Sequence, residues 1–139
     1  MNYLLDTNVI SEYRKKQPNP QVVNWLNQVN AKTVYLSVIT LGELQKGISK
    51  LGDGPRRTAM QEWLDNDVQA QFKGRLVPLD SDTLLLWGKL VARLVQSAKS
   101  LPLIDSLIAA TALQGDFVLV TRNEADFAIA GVKLLNPWK

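Results

Sequence analysis

The chain carries thirteen aspartates and glutamates but no histidine and no cysteine. Those two zeros decide which chemistry its side chains could perform. Without imidazole there is no Ser-His-Asp or Cys-His pair, no imidazole general base and no His-ligated zinc. Without thiols there is no disulfide, thiolate metal site or sulfur nucleophile. Catalytic groups must come from carboxylates, Lys, Arg, Ser, Thr, Tyr or a bound ion. Carboxylates unaccompanied by His or Cys favour hard, oxygen-seeking cations such as Mg²⁺ or Mn²⁺ over zinc.

Four positions are candidates, each with a plainer alternative. Asp6 closes the strand-like run Tyr3-Leu4-Leu5 and would also serve as a helix N-cap. Glu43 stands three residues after Thr40, the spacing of a capping box. Asp105 lies in the stretch Leu103–Leu113, apolar nearly all round, so burial is expected. A buried carboxylate is costly unless a cation or several donors compensate. Alignment with the helix dipole would return only about 0.3–1 kcal/mol. The fourth position follows Phe117–Val120 in Thr121-Arg122-Asn123-Glu124-Ala125-Asp126-Phe127. There Asp126 or Asn123 could face the same edge, and a simple polar turn is the alternative. Asp80 and Asp82 read instead as the start of a helix capped by Ser81. Acids converging on one edge cannot all ionise without a neutralising ion or shared protons. Mg²⁺ solves that problem and is usually held by carboxylates plus substrate phosphates. A carboxylate-held metal beside a basic surface points to phosphodiester hydrolysis.

The elements that must position these acids are legible from periodicity. Tyr3–Leu5, Val34–Ser37, Leu76–Leu79, Phe117–Val120 and Val132–Leu135 read as strands, with Pro78 marking an edge strand at best. Asn19-Pro20 starts a helix whose Val22, Leu26 and Val29 share a face. Further helices are expected from near Thr40, over roughly 56–72, from Ser81 with a Leu84, Trp87, Val91, Leu94, Val95 stripe, and from near Pro102. Strands alternating with helices imply crossovers and a mostly parallel sheet of four to five strands covered on both faces. The expected fold is a three-layer α/β/α sandwich, a single domain over 1–139. In open sheets of this kind ligands bind beyond the carboxyl ends of the strands, which is where Asp6 falls.

Net charge is +3, and ten of the sixteen lysines and arginines fall in residues 1–75. Arg14-Lys15-Lys16, Lys46, Lys50 and Arg56-Arg57 form clusters suited to a polyanion or, equally, to an ordinary solvated face. No run approaches the roughly 20 apolar residues of a membrane span. The start Met1-Asn2-Tyr3-Leu4-Leu5-Asp6 lacks the pattern of a signal peptide, so a cytoplasmic protein is expected.

Four segments together resemble the PIN-domain ribonucleases, specifically the VapC toxins of type II toxin–antitoxin pairs. They are Leu4–Glu12, Leu36–Leu44, Asp105–Ala112 and Thr121-Arg122-Asn123 with Asp126-Phe127. The ending Leu135-Asn136-Pro137-Trp138 resembles the FitB-type branch. The resemblance spans essentially the whole chain. It implies Asp6 and Asp105 as principal metal ligands, with Glu43 completing the acidic pocket directly or through water. Many relatives place an acid directly after Thr-Arg, where this chain has Asn123, so either Asp126 substitutes or Asn123 contributes a neutral ligand. Thr7, Asn8, Thr121 and Asn123 are then expected to orient ligands or water. The resemblance further implies a homodimer and a small VapB-like antitoxin that blocks the acidic pocket and binds promoter DNA through its other end. Arg14, Lys46 and Lys50 are candidate RNA contacts.

Two rival readings differ in class. Asp6-Thr7-Asn8 after an N-terminal strand is similar to the start of haloacid-dehalogenase-like phosphatases, but those place a second acid where Asn8 stands and need a later lysine. A non-catalytic PIN-like module binding RNA or a partner is the other, and intact Asp6, Glu43 and Asp105 weigh against it.

Overall fold

A computed structural model describes all residues, 1–139. Its centre is a sheet of five parallel strands in the order β3-β2-β1-β4-β5: β1 (Tyr3–Leu5), β2 (Val34–Ser37), β3 (Leu76–Val77), β4 (Val118–Val120) and β5 (Lys133–Leu135). Parallel neighbours cannot be joined by hairpins, so every connection carries helix. Those are α1 (Thr7–Glu12), α2 (Pro20–Gln28), α3 (Val38–Ser49), α4 (Pro55–Glu62), α5 (Gln69–Gln71), α6 (Ser81–Gln96), α7 (Leu103–Gln114) and α8 (Glu124–Ala128). A π-helical stretch, Trp63–Val68, links α4 to α5, so the helix expected over 56–72 is one rod with a π segment inside it.

Side-chain alternation builds the three layers. Leu5 and Val120, opposite one another in register, enter one apolar cluster with Val9, Leu44, Trp63 and Phe72. Their neighbours Leu4 and Leu119 enter a second cluster with Leu90, Ile108, Phe117 and Phe127 on the opposite face. Both faces of the central strands are therefore buried, which is why β1 and β4 read as unbroken apolar runs. The strand expected over Leu76–Leu79 lies at an edge and stops at Val77, before Pro78.

Three local expectations are corrected. The cap of α3 is Ser37, whose Oγ accepts the Ile39 N–H at 3.0 Å, so Thr40 and Glu43 form no capping box. The cap of α6 is Asp80, whose Oδ1 accepts the Thr83 N–H at 2.9 Å, and Ser81 is merely the first helical residue. Asp105 is half-buried rather than buried, because the first turn of α7 is open: Leu103 and Ile104 are exposed, while Ser106 and Ile108–Ala112 are enclosed. No helix is long and apolar enough to cross a membrane.

Candidate active site

Chain direction gathers the acids. Helix α1 begins directly at the carboxyl end of β1, α3 at that of β2, and α8 just beyond β4. Helix α7 precedes β4 and descends toward its start, so the first turn of α7 lies at the same sheet edge. Asp6 occupies the cap of α1, Glu43 the second turn of α3, Asp105 the first turn of α7 and Asp126 the first turn of α8. The positive ends of four helices thus face the region that holds the negative charge.

Asp6 is the most enclosed of the four, at 6% exposure. Its Oδ1 accepts the Thr7 backbone N–H at 2.8 Å, and its Oδ2 accepts the buried Thr121 hydroxyl, also at 2.8 Å. The helix-cap reading of Asp6 therefore accounts for one oxygen, and β4 supplies the partner for the other. Glu43 is held from α1: the Thr7 hydroxyl donates to Glu43 Oε1 at 2.5 Å, and the fully buried Thr40 places its own hydroxyl oxygen 3.4 Å from that of Thr7. Thr40, read as a helix cap, instead belongs to this network. Its spacing from Glu43 puts both on one helix face, and that signal fits either reading.

Charge couples the set. Burial raises the Asp6 carboxyl above the ordinary range, and the Glu43 charge pushes the same way, against the lowering effect of the Thr121 and Thr7 hydrogen bonds. Burial also raises Asp105, followed by the charges of Asp6, Glu43 and Asp126. The four ion pairs in the protein use Glu12, Asp53, Asp116 and Glu124, so no site acid has a protein counter-ion. Asn8, two residues after Asp6, leaves its Oδ1 buried without a partner, an acceptor that calls for a donor from outside the chain.

The donor set suits a hard cation. It consists of oxygens only and lacks any internal cation. No three acids converge closely enough to form a complete cage, and Mg²⁺ needs none, because it keeps several waters and takes one or two carboxylates.

The remaining candidates fall in three places. Asn123 is exposed at the start of α8, its side chain free and its backbone N–H donating to Thr121 Oγ1 at 3.0 Å. Arg14 lies over the Trp63 ring, 5.2 Å from its centroid, in an apolar groove between α1, α2 and the π segment. Lys46 is exposed on α3 and Lys50 at its C-terminal cap, about one and two turns further along the helix than Glu43. The structure brings together the acids and Thr7, Thr40 and Thr121. None of these three cations forms an ion pair with a site acid, although Lys46 follows Glu43 by three residues on α3.

The sequence profile of the PIN domain matches residues 3–132, nearly the whole chain. The chain belongs to the PIN-domain family. Within it, a VapC ribonuclease of Sinorhizobium fredii is 38% identical over 136 residues, covering 98% of this chain and 97% of that one. The FitB toxin of Neisseria gonorrhoeae is 37% identical over 135 residues, covering 97% of each. A solved VapBC structure from Rickettsia felis, bound to a DNA fragment from its promoter, superposes with a TM-score of 0.82 at 29% identity, covering 98% of each chain. The PIN-domain chain described here is thus of the VapC/FitB branch, and its five-stranded parallel sheet between helical layers is the PIN-like α/β/α fold.

Within that site Thr7 has the most testable structural role. Thr7→Val keeps the shape of the side chain but removes the only side-chain donor to Glu43. Outer hydrogen bonds of this kind are worth about 10–100-fold in activity or metal affinity. Cleavage should fall by that factor in Thr7→Val and largely recover in Thr7→Ser, measured as kcat/KM on the same RNA.

Proposed function

We propose that this chain, acting as one nuclease domain over residues 1–139, is a metal-dependent endoribonuclease and the toxin of a type II toxin–antitoxin pair. The observation that carries the reading is the acidic edge itself. Asp105 feels the charges of Asp6, Glu43 and Asp126, Asp6 feels that of Glu43, and none of the four has a protein counter-ion, in a chain of the VapC/FitB branch.

Asp6 and Asp105 would hold a Mg²⁺ or Mn²⁺ ion, with Glu43 and Asp126 bound directly or through water. When bound, such an ion acidifies a coordinated water and offsets negative charge developing on the phosphoryl oxygens. The chain's own residues do the positioning. Thr121 and the Thr7 N–H fix the two oxygens of Asp6, and the Thr7 hydroxyl fixes Glu43. Asp126 fills the role of the fourth acid because its charge reaches Asp105. Asn123 has a free side chain at the same turn and would serve substrate or water.

The partner is a small VapB-like antitoxin that occupies the acidic edge, and promoter DNA is reached through it. The relative from Rickettsia felis, solved as VapBC on promoter DNA, supports this arrangement. A homodimer is supported by the large apolar side chains exposed on α6 and at the start of α7, namely Leu84, Leu85, Val95, Leu103 and Ile104. Acting on cellular RNA, the enzyme would work in the cytoplasm.

Induced expression in a bacterium should arrest growth, and the purified chain should cut cellular RNA until EDTA is added. Hydrolysis of small phosphomonoesters with no cut in RNA would instead support the phosphatase reading. Sedimentation of the purified chain at single-chain mass would remove the dimer.

A further inference from the structure

The acidic edge accounts for a metal but leaves open what grips the RNA strand, and the three cations named from sequence make no ion pair with its acids. Of the six arginines, four are engaged. Arg14 packs on Trp63, and Arg57 pairs with Asp53 at 2.9 Å. Arg75 donates to the carbonyls of Ala31, Val34 and Gln71, and Arg93 donates to that of Ala130 at 3.1 Å. Arg56 is exposed on α4, in the helical rod on one side of the sheet. Arg122 lies over an indole as Arg14 does, but its place in the chain is different. It directly follows Thr121, the residue whose hydroxyl holds Asp6. It is exposed, takes part in none of the ion pairs, and its guanidinium lies over the Trp138 ring, 5.4 Å from the centroid. Glu12 feels the Arg122 charge, but its two carboxylate oxygens are taken by Lys15 at 2.9 Å and by the Asn19 N–H at 2.9 Å.

The segment that carries Arg122 is braced by the chain's last residues. The Thr121 N–H donates to the Leu135 carbonyl at 3.0 Å. The Asn136 side-chain amide donates to Glu124 Oε1 at 3.0 Å, and Lys139 pairs with the same oxygen at 2.8 Å. Trp138 is locked by its N–H to Asn136 Oδ1 at 2.9 Å and packs on the apolar cluster beneath. A guanidinium held over an indole face leaves N–H donors free and loses less entropy when they bind. The result is a cation outside the protein's ion pairs, one residue from a wall of the acidic pocket and held by Trp138 rather than by the site acids.

We propose that Arg122 is a substrate-binding residue that takes an RNA backbone phosphate flanking the scissile bond, and that Trp138 is its positioning residue. The phosphodiester chain is the ligand that fits: its cut phosphate belongs with the metal, and its neighbours need a fork of N–H donors. This rests on the ribonuclease reading above.

The test is fluorescence anisotropy of a labelled single-stranded RNA oligonucleotide with the full chain. Ca²⁺ is supplied in place of a catalytic ion, and KCl is varied between about 50 and 200 mM. Arg122→Ala should weaken binding about five- to tenfold and reduce the slope of log affinity against log salt by about 0.7, the value for one phosphate contact on a single strand. Arg122→Lys should restore the slope but not the full affinity. Trp138→Ala should keep the slope and lose affinity, and Trp138→Phe should bind as the parent does. Arg56→Ala, a loss of charge elsewhere, should change neither. An Arg122→Ala protein that melts normally and binds RNA with parental affinity and slope overturns the inference alone, leaving Arg122 as part of a brace or partner contact. A parent that binds no RNA overturns the ribonuclease reading with it. If Arg122→Ala does not fold, Arg122→Gln carries the same comparison.

Discussion

Asp105→Asn should cut RNA at a rate lower by roughly a thousandfold or more, since a metal's contribution to phosphoryl charge stabilisation is worth several kcal/mol. The same change should raise the melting temperature of the metal-free protein. The two effects have one cause. Asp105 is held above the ordinary carboxylate range by burial and by the charges of Asp6, Glu43 and Asp126, so its negative charge opposes folding at neutral pH and serves only the ligand. Asparagine keeps the shape and removes the charge. Because the side chain is half-exposed, solvent screens the repulsion, and the gain should be small, about 2–4 °C for a chain of this size. Asp6→Asn should lose as much activity, and its Oδ1 can still cap α1 by accepting the Thr7 N–H. Single-turnover cleavage and thermal melts with EDTA check both variants. Substantial cleavage by either one, at protein levels where the parent is saturating, would remove the metal-ligand assignment.

The second large effect is a coupling between pH, metal and stability. Asp6 and Asp105 both titrate above their unfolded values. A carboxyl whose pKa is raised by folding contributes stability that is fully present below the unfolded value and is lost as pH rises through the folded one. The contribution of these two carboxyls should therefore decline as pH rises above the ordinary aspartate value of about 4. It is opposite in sign to that of Glu12, Asp80 and Glu124, whose carboxyls are lowered, and the decline should be absent from Asp6→Asn plus Asp105→Asn. Mg²⁺ or Mn²⁺ replaces the missing protons, so its stabilisation should be large at pH 7–8 and vanish near pH 4. At a hundredfold excess over Kd the shift is about 2.7 kcal/mol, or several degrees in Tm. Melting curves over pH with and without metal measure it directly. In Asp6→Asn plus Asp105→Asn the metal response should disappear. A metal-induced shift of equal size at pH 4 and pH 8, or one that survives in the double variant, would contradict a carboxylate-held ion.

Much of this was open to reading before any coordinates. Strand and helix order followed from period and punctuation because both faces of β1 and β4 are buried, which leaves uninterrupted apolar runs at Tyr3–Leu5 and Phe117–Val120. The caps at Asp6 and Asn19 were legible because each acts within its own first turn. Errors came where two local patterns competed for the same residues. Ser37 took the cap that Thr40 seemed to own, because β2 ends there and Ser37 must already turn the chain. Asp80 took the cap from Ser81 for a similar reason. An apolar helix predicts cover along its whole length, and Asp105 departs from that because the first turn of α7 opens at the sheet edge.

The same division applies to the site. Composition alone determined that no imidazole or thiol takes part and that oxygen donors must serve, since those groups are absent from the chain. Only the tertiary structure decided that Thr121 holds Asp6 across 115 residues and that Thr7 holds Glu43 across 36. Which hydroxyl meets which carboxylate depends on β2, β1 and β4 lying side by side with their carboxyl ends at one edge. The same packing sets Arg122 against Trp138 and leaves Arg14 on Trp63. Local sequence reports what a residue can donate or accept within a turn or two; its distant partner is set by strand order, an outcome of burying both faces of the sheet at once.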